Sequence, residues 1–131
     1  MAATFRDLVV WKKSIDLTTL VYGFTAGFPK CEMYGLALQM RSAVVSIPSN
    51  IAEGYGRGTC SEFREAVKRA EGSNCELQTQ LIIARKLRFG DSEMLLAAES
   101  LSFEIGLLLE GVSADFAREI RAGGAAPRWA G

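Results

Sequence analysis

The chain has 131 residues, 49% of them hydrophobic, which gives it room for one core near the commonest domain size and none for a second. Fifteen basic side chains balance fifteen acidic ones, which argues against a protein that holds nucleic acid by bulk phosphate neutralisation, where affinity grows with each phosphate contacted. Histidine is absent, and with it go Ser-His-Asp and Cys-His nucleophiles, the His-Glu-x-x-His zinc site and the Glu-x-x-His di-iron set of helix bundles.

A first helix is expected over 6–26. Leu8, Trp11, Ile15, Thr18 and Tyr22 recur on one helical stripe, Val10, Leu17, Val21 and Phe24 widen it, and Gly27-Phe28-Pro29 ends it. The second helix, over 33–56, is the most informative stretch. Leu36, Met40, Val44, Ile47, Ile51 and Tyr55 keep three-and-four spacing straight through Pro48. An interior proline removes the bond to the carbonyl four residues back, that of Val44, and clashes with it, at about 3 kcal/mol. Something outside the helix must therefore hold Pro48, and a kink is expected there. Gln39, Ser42, Ser46, Asn50, Glu53 and Arg57 repeat on the same period and read as a packed polar seam. Gly54, Gly56 and Gly58 close the helix. They follow a helix rather than a strand and lack Gly-Lys-Ser/Thr, so they mark a helix stop and not a phosphate loop.

The third helix begins after Thr59, where Thr59-Cys60-Ser61-Glu62 has the capping-box spacing, and runs to about residue 88. Gly90 breaks it, and Asp91 or Ser92 caps a fourth helix over 92–121. In that helix Met94, Leu95, Ala98, Leu101, Ile105, Leu108 and Val112 form the bundle-facing stripe, while Leu96, Phe103, Leu107 and Leu109 fall off it. Neither an internal repeat nor strand-like alternation is present. The expected fold is all-α, an antiparallel up-and-down four-helix bundle over 1–121 with a second helix kinked at Pro48, followed by a flexible C-terminal tail, 122–131.

The run Ser46-Ile47-Pro48-Ser49-Asn50-Ile51-Ala52-Glu53-Gly54 resembles a known family. So do the opening Phe5-Arg6-Asp7-Leu8-Val9-Val10-Trp11-Lys12-Lys13, Phe28-Pro29, Tyr34-Gly35-Leu36, and Gly72-Ser73 followed by Glu76-Leu77-Gln78-Thr79-Gln80-Leu81. Over residues 5–90 the chain is similar to the bacterial four-helix-bundle proteins encoded in intervening sequences of 23S ribosomal RNA genes or standing alone elsewhere in bacterial chromosomes. The resemblance implies an up-and-down bundle of a group that forms homopentamers and includes accessory variability proteins of diversity-generating retroelements. It also carries an expectation of nucleic-acid association.

Short connections make consecutive helices antiparallel neighbours. A reversal near Gly58 would set level those residues of helices two and three whose numbers sum to about 117. Arg41 would then face Glu76, and Glu53 would face Arg64. With Ser46 and Asn50 these make the candidate structural seam: Arg41, Ser46, Asn50, Glu53, Arg64 and Glu76. As solvated pairs they are worth about 0–1 kcal/mol each; partly buried, the loss of one partner costs about 3–5 kcal/mol. Either way the seam sets register and catalyses nothing.

Charge is uneven along the chain. Residues 1–30 carry +2 (four basic, two acidic), 31–58 carry zero, 59–90 carry +2 (six basic, four acidic) and 91–131 carry −4 (three basic, seven acidic). Arg85, Lys86 and Arg88 form a candidate nucleic-acid rim at one bundle end. Arg6, Arg57, Arg64, Arg118 and Arg121 gather at the other. In a ring of subunits either rim repeats into a basic collar; in isolation 85–88 are also what a helix C-terminus favours.

Cys31, Cys60 and Cys75 form no Cys-x-x-Cys pair and read as reduced, small core or boundary residues. No secretory pattern and no apolar run of about 20 residues is present, so a cytoplasmic protein without membrane contact is expected. The glutamates of helices two and three have basic neighbours and read as ion-pair formers. No catalytic residue, cofactor or metal is expected, and the chain is not read as an enzyme. The mean hydropathy of +0.13 and the broad apolar faces of helices one and four imply a homo-oligomer, a pentamer by the resemblance. Two functions follow: an oligomeric accessory protein that associates with RNA or with a nucleic-acid enzyme, or an oligomeric protein-interaction scaffold without nucleic acid.

Overall fold

The computed structural model of the chain describes residues 4–123. Four helices carry the fold: α1, Val9–Ala26; α2, Leu36–Arg57; α3, Cys60–Leu87; and α4, Ser92–Arg121. Single 3-10 turns stand at Phe5–Asp7 and Lys30–Glu32. No strand occurs among the described residues. The expected tail, 122–131, lies outside the described residues from 124 onward.

Local chemistry sets the ends. Thr4 caps the opening turn: its Oγ1 accepts from the Arg6 N–H at 3.1 Å, and its own N–H donates to Asp7 Oδ2 at 3.2 Å. Thr59 Oγ1 accepts from the Glu62 N–H at 3.1 Å and starts α3 as its spacing predicts. Of the two candidate caps for α4, Asp91 is the one used, its Oδ2 accepting from the Met94 N–H at 3.0 Å. Helix α3 ends at Leu87, before the expected glycine is reached. Arg88 takes the left-handed conformation (φ 59°), and the Phe89 N–H returns to the Ala84 carbonyl at 3.0 Å. Gly90 follows with φ 75°, and an added Cβ there would lie 2.5 Å from the Phe24 ring, so this position needs glycine for both conformation and space.

Each helix packs on its sequence neighbour, and α1 closes the ring on α4, while α1 and α3, like α2 and α4, sit diagonally. The core inverts part of the sequence expectation. In α1 the buried set is Val10, Ser14, Leu17, Val21, Phe24 and Thr25, whereas Ile15 and Tyr22 are 38% and 43% exposed. The residues expected to widen the stripe are thus its centre. In α4 Leu109 is fully buried with Leu95, Ala98 and Ile105, and only Leu96, Phe103 and Leu107 remain outside. No described helix is long and apolar enough to cross a membrane.

Pro48 lies inside α2 and is buried, as are Met40, Ala43, Val44, Ile47 and Ile51 around it. Gly54, expected only to end the helix, is within it and buried. A Cβ at Gly54 would stand 2.3 Å from the Ala66 Cβ, so its lack of a side chain lets α2 and α3 approach closely just before their turn. Gly58 makes the turn itself, with φ 86°.

Candidate functional site

The α2–α3 seam is built by hydroxyl and amide groups at matching levels. Ser46 Oγ and Ser73 Oγ meet at 2.6 Å. Asn50 Nδ2 donates to the Ser46 carbonyl at 2.8 Å and to Ser46 Oγ at 3.0 Å, and Arg69 Nε donates to Asn50 Oδ1 at 3.1 Å. With Gly54 against Ala66, these contacts place level the residues whose numbers sum to 119 or 120. That is two to three positions from the expected register, most of a helical turn.

The shift undoes both expected ion pairs. Arg41 turns toward α1 instead of α3: its Nε donates to Thr25 Oγ1 at 2.8 Å and its guanidinium stacks 4.8 Å from the Tyr22 ring centroid. Glu76 is exposed and makes no ion pair among the described residues. Glu53 pairs within its own helix, with Arg57 at 3.3 Å. Arg64 points the other way, its Nε donating to the Ser113 carbonyl of α4 at 3.4 Å. Of the six seam residues, only Ser46 and Asn50 lie together; both are half-buried, and Ser42, expected inside the bundle, is exposed.

A second polar contact, absent from the sequence expectations, ties α3 to α4. Asn74 Nδ2 donates to the Ser102 carbonyl at 3.0 Å, and Ser102 Oγ donates back to Asn74 Oδ1 at 2.8 Å, both buried. Gly106 makes room for it, since a Cβ there would stand 3.3 Å from Asn74 Nδ2. The only sequence signal was an asparagine at a core-facing position between Ala70 and Leu77. On the α1–α4 edge, Lys13 Nζ reaches Glu104 at 2.8 and 3.1 Å.

Beyond Ser46 and Ser73 the α2–α3 seam opens into a groove of ≈ 520 Å³, lined by Gln39, Ser42, Glu76, Thr79, Gln80 and Ile83. At the bundle end where α3 stops, the expected rim is thinner than its sequence. Glu99 pairs with Arg85. Lys86 and Arg88 are exposed, as is Lys30, and none of these three makes an ion pair among the described residues. On α4, Leu96, Phe103 and Leu107 are 62%, 64% and 55% exposed on one outward stripe. Cys60 is buried, while Cys31 and Cys75 are exposed rather than in the core. No group of three or more metal-ligating side chains gathers among the described residues.

The profile of the 23S rRNA-intervening sequence proteins matches residues 6–111. The chain is also similar to a protein of unknown function from the S23 ribosomal protein family of Bacteroides thetaiotaomicron, known from its crystal structure. The two superpose with a TM-score of 0.71 at 20% identity, over 80% of this chain and 98% of that one. At that identity the likeness shows the bundle alone. No curated protein matches the chain.

Proposed function

Because the chain belongs to the 23S rRNA-intervening sequence protein family, we propose that it is a non-enzymatic, homo-oligomeric scaffold whose copies join through the outer face of α4. The observation that carries this is the stripe of Leu96, Phe103 and Leu107, three large apolar side chains each more than half exposed along one helix. Water around such a stripe favours a neighbour that covers it. The acidic stretch 91–131 leaves polar residues to flank it, and five copies is the number the resemblance implies. Light scattering on the parent chain should give a mass several times 14.2 kDa, and Phe103→Glu should shift it toward the monomer while helix content stays unchanged. A monomeric parent at micromolar concentration would overturn the proposal.

A second reading, association with RNA, is favoured by Lys30, Lys86 and Arg88, exposed and without ion pairs at one end of the bundle. A ring of copies would repeat them into a collar. Its test is retention of structured RNA at about 50 mM salt, lost steeply as salt rises, and lost in the triple change Arg85→Gln, Lys86→Gln, Arg88→Gln. A parent that retains no RNA at that salt leaves the scaffold reading alone.

A further inference from the structure

Large apolar side chains left outside the core gather on two opposite edges of the bundle. One edge is α3–α4. Glu99 pairs with Arg85 across it, and Leu96 and Phe103 stand three before and four after Glu99 on the same helical stripe, with Leu107 one turn further. Ile82, three before Arg85, is exposed beside them on α3. The other edge is α1–α2. Arg41 reaches Thr25 and the Tyr22 ring across it. Leu38 and Val45 stand three before and four after Arg41, Ile15 stands seven before Tyr22, and all four are exposed. Because α1 and α3 sit diagonally, as do α2 and α4, the two edges face away from each other.

Charge decides what can cover the α4 stripe. Glu93, three before Leu96, and Glu110, three after Leu107, flank it; both are exposed and make no ion pair among the described residues. They lie about 26 Å apart along the helix. Were the stripe to meet its own copy about a two-fold axis, antiparallel packing would set Glu93 on Glu110, and parallel packing would set each glutamate on itself. Either way like charges meet at both ends, which costs affinity. The α1–α2 face is flanked by the opposite charge. Lys12 stands three before Ile15, and Lys30 lies in the turn that follows α1; both are exposed and equally free of ion pairs. From Lys12 to the end of α1 is about 21 Å, so the lysines, like the glutamates, stand a helix length apart.

We propose that the α3–α4 face of one copy docks on the α1–α2 face of the next, head to tail. The inference rests on the reading of α4 as the joining face and names the surface that covers it. Leu96, Phe103 and Leu107 lose their water against Ile15, Tyr22, Leu38 and Val45, and Glu93 and Glu110 meet Lys12 and Lys30. Every copy then carries one face of each kind, and the contact repeats in one direction until a ring closes.

The test mixes two full-length variants, each lacking one face, and reads mass by light scattering. Phe103→Glu and Tyr22→Glu should each be monomeric with the helix content of the parent. Mixed in equal amounts they have one intact face each, and should form a dimer of about twice 14.2 kDa and nothing larger. Leu38→Glu, exposed on α2 and outside the Tyr22–Arg41 stack, should complement Phe103→Glu in the same way. In a separate variant, Glu93→Lys with Glu110→Lys should raise the concentration at which the assembly dissociates about tenfold, whereas a stripe that meets itself would be tightened by the change. An assembly that survives both Tyr22→Glu and Leu38→Glu, a mixture that stays monomeric, or tighter association of the double lysine variant overturns the head-to-tail contact while leaving α4 as the joining face. A parent that is itself monomeric overturns both.

Discussion

The Thr18 hydroxyl of α1 reaches the Val44 carbonyl of α2 at 3.4 Å, the acceptor that Pro48 deprives of its helical donor. The same hydroxyl lies 2.7 Å from the Ser14 carbonyl, so one proton serves two acceptors and the bond across the helices is the longer. Burial of the proline ring among Val44, Ile47 and Ile51 adds apolar contact that a solvent-facing proline would lack. Tertiary packing, not local propensity, thus keeps a proline inside this helix.

The Thr18 contact should show as coupling to Pro48. Thr18→Val should destabilise the parent by about 1 kcal/mol and cost less in a Pro48→Ala background, where residue 48 again offers an N–H to Val44. Urea denaturation of the four proteins measures this. Equal losses in both backgrounds would mean that Thr18 serves only Ser14.

Two glycines in one helix should respond with opposite sign. Gly54→Ala forces a Cβ to within 2.3 Å of the Ala66 Cβ and should destabilise by about 1–3 kcal/mol, with Ala66→Gly recovering part of the loss. Gly56→Ala meets nothing within 4 Å and should stabilise by up to about 1 kcal/mol through helix propensity. Thermal melts that move the same way for both would contradict the close approach of α2 and α3.

Arg41 should couple to Thr25 and not to Glu76. In a double-mutant cycle Arg41→Met with Thr25→Val should be non-additive by about 0.5 kcal/mol or more, since Arg41 Nε donates to Thr25 Oγ1 at 2.8 Å. The cycle of Arg41→Met with Glu76→Ala should add. Coupling to Glu76 would return the pair that the register of α2 on α3 excludes.

Cysteine reactivity should divide by burial. Burial first, then the Glu119 carboxylate, pushes the Cys60 thiol up from its ordinary 9.0, against a lowering by its backbone hydrogen bond. A thiol raised in the folded state favours folding below pH 9.0, and that contribution is lost as pH rises through the folded value. An aromatic disulfide reagent at about pH 8 should therefore titrate Cys31 and Cys75 quickly and Cys60 only as the chain opens. Rapid reaction of all three thiols would refute this.

How much of the fold was legible shows at particular residues. The helix starts at Thr59 and Asp91 were readable because a cap is a contact within one turn, made by a side chain to an N–H two or three positions on. The stop at Gly58 was readable for the same reason, since a left-handed residue is a local demand. The α2 stripe through Pro48 was readable because three-and-four spacing survives whatever holds the proline. The centre of α1 was not, because Ile15 and Val21 are equally apolar and only the angle at which neighbours arrive chooses which is buried.

What the sequence by itself determined is the set of four helices, their caps, their antiparallel order and, through the pattern around Pro48, the family. Those properties depend on neighbours in the chain, within a turn or a short loop. What only the tertiary structure decided is which polar groups meet. A register two or three positions from the symmetric guess parts Arg41 from Glu76 and Glu53 from Arg64, and the neighbours that α1 and α4 then offer give Arg41 to Thr25 and Arg64 to Ser113. The physical reason is that helix register is set by close packing, here Gly54 against Ala66, and a shift of less than one turn turns a side chain toward a different neighbour.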